Sequence, residues 1–79
     1  MVPSEYSGLR AEHIHHLKFR SKGGTDDVWN TMALTGKEHD RAHEDPKFNL
    51  LCARIHAEKL RLKGYENWDR ILQELREAA

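Results

Sequence analysis

The spacing of apolar residues divides the chain into a strand-like first half and a helical second half. Residues 1–9 (MVPSEYSGL) contain Pro3, Gly8 and two serines and follow neither period, so a frayed lead-in is expected. Over residues 10–20, Ile14, Leu17 and Phe19 stand among polar side chains, consistent with a strand. Residues 21–27 (SKGGTDD) read as a turn, because Gly23-Gly24 can supply the positive φ that tight turns require. Val28, Trp29, Thr31, Met32 and Leu34 then predict a return strand, closing a long hairpin.

Thr35, followed three residues later by Glu38, predicts a capping box and a helix from Glu38 to Glu44. Asp45-Pro46 ends it and starts a second helix as N-cap and first-turn proline. Phe48, Leu51, Cys52, Ile55 and Leu62 mark an apolar stripe on that helix, which Gly64 terminates from the C′ position. Tyr65, Trp68, Ile71, Leu72 and Leu75 predict one face of a last helix. The fold class is therefore α+β: a hairpin, a short helix and two amphipathic C-terminal helices in a single domain over residues 1–79.

Composition narrows what can hold such a chain together. It has 79 residues, 38% hydrophobic and 33% charged. A domain below about 80 residues usually supplements its core with disulfides, a metal or a partner chain. The lone Cys52 cannot form an internal disulfide and points to a reducing compartment. No apolar run approaches the length of about 18 residues that a membrane span needs, and the N-terminus lacks a signal-peptide apolar region. A metal or an oligomer remains.

Thirteen basic and thirteen acidic side chains cancel, but unevenly. Residues 1–24 carry four basic and two acidic groups, residues 25–46 two basic and six acidic, and residues 47–79 seven basic and five acidic. The totals argue against tight, non-specific nucleic-acid binding while leaving a local basic face open. A bound divalent cation would offset the acidic middle segment. Arg54, Lys59, Arg61 and Lys63 on the second helix read as a solvated face, with phosphate contact as the alternative.

Five of the six histidines lie between His13 and His43. His39 and His43 are four residues apart on the predicted short helix, so both rings project from one face, as two ligands of one ion must. His13, His15 and His16 lie on the first predicted strand, and folding the hairpin against the helix brings one of these imidazoles to the same point. Three imidazoles suit Zn²⁺ or another late transition metal and leave a coordination position open. His56 reads as a packed or solvated residue, Cys52 as a filler of the apolar stripe, and Trp29 and Trp68 as core or interface anchors.

The series His15-His16, Asn30, His39 and His43 resembles the motif of the HNH nucleases, whose fold is termed ββα-metal. The turn Arg20-Ser21-Lys22-Gly23-Gly24-Thr25-Asp26-Asp27 is similar to the family's RSKGGxDD loop, and Asn30 with Leu34 is similar to its N-x-x-x-L strand. The resemblance implies a ββα-metal core over residues 12–44 and a helical extension over 45–79. It implies a metal-dependent DNA endonuclease in which His15, His39 and His43 hold a divalent ion (Zn, Ni, Mn or Mg). His16 would act as general base and Asn30 would orient it. Arg10, Lys18, Arg20 and Lys22 become the expected phosphate contacts, positioning DNA with low sequence specificity. A cytoplasmic phage or mobile-element nuclease is implied, with a homodimer through the C-terminal helices left open.

Three features depart from the family pattern, one being that only 12 residues precede His13, so little DNA-binding surface is expected on the N-terminal side. Where many relatives carry zinc-knuckle cysteines, this chain has Thr35 and Glu38. Where an acidic residue often stands, it has His13. On an ideal strand His13 and His15 share a face while His16 points away, so His13 is an alternative ligand to His15. A non-catalytic, metal-stabilised module binding nucleic acid or protein is the competing function.

Overall fold

The turn chemistry and the capping residues predict where the chain reverses, and the computed structural model, which describes residues 2–77, follows most of those signals. Strand β1 (His13–His16) pairs antiparallel with β2 (Thr31–Leu34), in the register His13↔Leu34, Ile14↔Ala33, His15↔Met32 and His16↔Thr31. Helices α1 (Gly36–Glu44), α2 (Pro46–Leu62) and α3 (Arg70–Glu77) complete a compact α+β fold. Among the described residues no helix is long and apolar enough to cross a membrane.

The hairpin is shorter than its hydrophobic pattern predicts. Arg20–Lys22 and Val28–Asn30 form 3-10 turns, so Val28, Trp29 and Asn30 precede the return strand instead of belonging to it. Gly23 takes a φ of 87°, open to glycine at no steric cost. Gly24 serves a different need: a Cβ there would lie 1.7 Å from the Lys18 carbonyl oxygen. Close backbone approach, not handedness, requires the second glycine.

Thr35 caps α1 in a reciprocal capping box. Its side chain accepts from the Glu38 N–H at 3.2 Å, and Glu38 Oε1 accepts from the Thr35 N–H at 2.9 Å. Ser4, buried in the N-terminal segment, donates its hydroxyl to the same carboxylate oxygen. Thr35→Ala should cost about 1 kcal/mol of stability, read as a lowered midpoint in urea denaturation; an unchanged midpoint would show that Ser4 and Glu38 hold the helix start without the cap.

The lead-in is ordered, contrary to the sequence expectation. Pro3 bridges to Arg10, and the Glu5 N–H donates to the Ala33 carbonyl at 2.9 Å, laying the segment beside β2. A strand edge with unpaired backbone groups recruits a neighbouring segment in this way. Tyr6 adds an edge-on contact to Phe48 at 4.9 Å between ring centroids.

α2 is the central helix, packing against α1 and α3 and touching the 3-10 turn at 28–30. Its buried face consists of Phe48, Asn49, Cys52, Ala53, His56, Ala57 and Leu60. That face is rotated from the predicted stripe: Leu51 is 42% and Leu62 72% exposed. Ala53 and Ala57 let the helix approach the core closely, and Cys52 sits fully buried with its thiol pushed up to about 11 by burial. Gly64 ends α2 at C′ as expected, with φ 86° and the paired bonds Tyr65 N–H to Leu60 O and Gly64 N–H to Arg61 O. α3 starts later than predicted, at Arg70: Tyr65 is exposed and residues 66–69 form turns, while Ile71 is fully buried.

Candidate metal centre

Strand alternation and helix periodicity bring three imidazoles to one place. His15 projects from β1 toward α1 and is fully buried, whereas its neighbour Ile14 is 62% exposed. His39 and His43, one turn apart on α1, have ring centroids 4.6 Å apart. The His15 ring stands edge-on to both, at 5.1 Å from His39 and 5.4 Å from His43. One ring nitrogen from each of the three lies within 4.8 Å of the others.

The three histidines lie close enough together to hold a metal ion. His15 Nδ1 and His39 Nδ1 are 3.1 Å apart. Two nitrogens at Zn–N distances of about 2.0–2.1 Å in a tetrahedron stand roughly 3.3 Å apart, close to that separation. Burial, joined by the nearness of His39, His43 and His16, pushes the His15 imidazole down to about 4. Burial and then the neighbouring His43 and His13 also lower His39. His15 and His39 therefore favour the neutral form, whose lone pairs can bind metal.

His13 is not in this trio. Its ring stacks on His39 at 4.6 Å and 11°, and Phe19 stacks on His43 at 4.5 Å and 9°. Each helix histidine is thus backed by a flat neighbour that restrains its ring. Of the two strand histidines it is His15 that lies with His39 and His43, because β1 turns His15 inward and leaves His13 exposed at the strand's start.

His16 points away from the trio's buried side yet lines a cleft of about 180 Å³ with Phe19, Arg20, His39 and His43. Its Nε2 lies 2.7 Å from Asp26 Oδ1, and Arg20 Nη2 donates to the same oxygen at 2.6 Å. The hydrogen bond from His16, then the Arg20 charge, holds the Asp26 carboxyl below its ordinary range. When His16 is neutral and donates Nε2–H to Asp26, its Nδ1 keeps the lone pair. A second, more apolar cleft of about 340 Å³ shares Phe19 and His43 with the first.

Asn30 is fully buried and clamps the intervening loop. Its Oδ1 accepts from Lys18 N–H at 2.7 Å, and its Nδ2 donates to the carbonyls of Thr25 at 2.7 Å and Lys18 at 3.1 Å. The four cations expected at DNA are differently disposed. Lys18 is tied to Glu74 of α3 at 2.8 Å and Arg20 to Asp26. Arg10 and Lys22 are exposed, and neither is ion-paired among the described residues.

Three contacts escape the sequence analysis. Asn49 lies 2.7 Å from His15 Nε2 through its Oδ1, Asp26 meets His16, and His56 meets Glu5. Asn49 and His56 recur with Phe48, Cys52, Ala53 and Ala57 at helical spacing, so a periodicity that admitted polar residues would have found both. Compared with protein-family models, with curated proteins and with solved structures, the chain matches none.

Proposed function

We propose that this chain is a metal-dependent endonuclease of the HNH, ββα-metal type that hydrolyses phosphodiester bonds in DNA. The observation that carries this reading is the convergence of His15, His39 and His43 beside a cleft that His16 also lines. The order of strand, loop, strand and helix agrees with it, since β1 and α1 present the four rings and β2 joins them.

His15, His39 and His43 would hold the divalent ion, whether Zn, Ni, Mn or Mg, and His13 and Phe19 restrain the rings by stacking. Held there, such an ion would supply positive charge to offset the negative charge that develops on the phosphate. His16 takes the proton of the attacking water on Nδ1, while Asp26 accepts Nε2–H and stabilises the imidazolium that forms. Asn30 keeps the 18–25 loop in place, which fixes the backbone following His16. Arg20 lines the same cleft and can exchange Asp26 for a phosphate oxygen. The products are 5′-phosphate and 3′-hydroxyl ends.

Zero net charge predicts weak, salt-sensitive cutting of low sequence specificity. Supercoiled plasmid incubated at low salt with Mg²⁺, Mn²⁺, Ni²⁺ or Zn²⁺ should be converted to nicked circles with at least one ion; no nicking with any of them overturns the proposal. His39→Ala should weaken Zn²⁺ binding itself.

The competing reading is a non-catalytic metal-stabilised module for nucleic acid or protein, favoured by the pairing of Lys18 and Arg20 with acidic side chains. Such a module would lose thermal stability on chelation and show no cleavage under any metal. A homodimer through α2 and α3 would sediment above the 9.2 kDa of one chain and would permit cuts on both strands.

A further inference from the structure

Asn49 belongs to α2, outside the segment that carries the histidine pattern, and is only 7% exposed. Its amide is oriented from both ends. Nδ2 donates to the Leu17 carbonyl at 2.9 Å, so Oδ1 is the end facing His15 Nε2 at 2.7 Å. A carboxamide oxygen only accepts, hence His15 Nε2 carries the proton and the neutral ring keeps its lone pair on Nδ1. That Nδ1 is the nitrogen 3.1 Å from His39 Nδ1.

We propose that Asn49 is a positioning residue for the metal centre: it selects the His15 tautomer that presents Nδ1 to a divalent transition metal, and it locks the ring's orientation. The inference rests on the metal-binding reading of the three histidines. The opposite tautomer would aim an N–H at His39 and remove one of the three donors. Leu17 lies two residues after His15, so one amide braces the ring and the backbone of the strand end that carries it. Hydrogen bonds of this kind to the far nitrogen of a ligating histidine fix its tautomer and raise its basicity. α2 therefore completes the site, and the helical extension is part of the metal-binding unit.

Two measurements on the full chain test this. Nitrogen NMR of the metal-free protein should show His15 as the Nε2–H tautomer. Competition for Zn²⁺ against a chromophoric chelator should show Asn49→Leu binding about 10–100-fold more weakly. Asn49→Asp, which retains an acceptor for Nε2–H but loses the donor to the Leu17 carbonyl, should still bind Zn²⁺ more tightly than His15→Ala even if Asn49→Leu fails to fold. The Nδ1–H tautomer in the unaltered protein overturns the proposal, as does an Asn49→Asp chain that binds Zn²⁺ as poorly as His15→Ala. An unaltered chain that shows the Nε2–H tautomer but binds no Zn²⁺ overturns the metal reading, and the positioning role with it.

Discussion

Replacing His16 with alanine should lower plasmid nicking by about 10²–10⁴-fold, the usual worth of a positioned general base, while leaving Zn²⁺ affinity unchanged. The separation of the two effects follows from strand geometry. Adjacent residues on β1 project to opposite faces, so His15 is fully buried beside His39 and His43 while the His16 side chain remains 21% exposed in the cleft. His16 contributes no nitrogen to the three-histidine group. Removing its ring takes away a proton acceptor and leaves the donor set intact. His39→Ala should show the converse, losing metal affinity and activity together. Plasmid nicking beside a chelator competition distinguishes the pair, and a His16→Ala chain that still nicks at the unaltered rate would exclude His16 as the base.

His56→Ala should destabilise the fold by about 3 kcal/mol, the lower end of the range for breaking a buried ion pair, because the Glu5 carboxylate keeps 22% of its surface exposed. Both nitrogens of His56 face acceptors: Glu5 Oε1 at 2.7 Å through Nδ1, and the Val28 carbonyl at 2.7 Å through Nε2. The ring thus links a carboxylate on one side to a backbone carbonyl on the other. It joins the N-terminal segment and the turn before Asn30 to the middle of α2. In a domain of this size each kcal/mol lowers Tm by about 4–8 °C, so calorimetry should register a large shift.

The pair also imposes a pH dependence. Burial raises the Glu5 carboxyl, but the hydrogen bond and charge of His56, the Ala33 N–H and the Lys59 charge together outweigh it, and the net shift is downward. A depressed carboxyl contributes stability that is present above its ordinary range and lost as pH falls through the folded-state value. Stability followed from neutral pH into the acid should therefore fall less steeply in His56→Ala than in the unaltered chain. Equal acid slopes would mean that Glu5 draws nothing from His56.

Local signals carried much of this fold. The Thr35–Glu38 capping box, the Asp45-Pro46 junction and Gly64 at C′ appear where their chemistry demands, because each is satisfied within one turn of chain. The cluster was legible for the same reason: two histidines four apart share a helix face whatever surrounds the helix. The misreadings were of residues whose surroundings come from distant segments. A stripe drawn through Leu51 and Leu62 overlooked Asn49 and His56, which are buried because His15, Leu17, Glu5 and Val28 satisfy their polar atoms. A polar side chain loses its penalty for burial once partnered, and those partners lie 28 or more positions away.

The same physics separates the two levels at the metal centre. Sequence alone established that His39 and His43 share one face and that a histidine from the first strand would meet them. It could not choose between His13 and His15, since two residues of one parity on a strand are equivalent until something covers one of them. Packing broke that tie: α2 brings Asn49 onto His15 and buries it, while His13 is left at the strand's exposed start, stacked on His39. Periodicity is a property of the backbone and survives in any surroundings; burial, tautomer and hydrogen-bond partners exist only once the helices close over the hairpin.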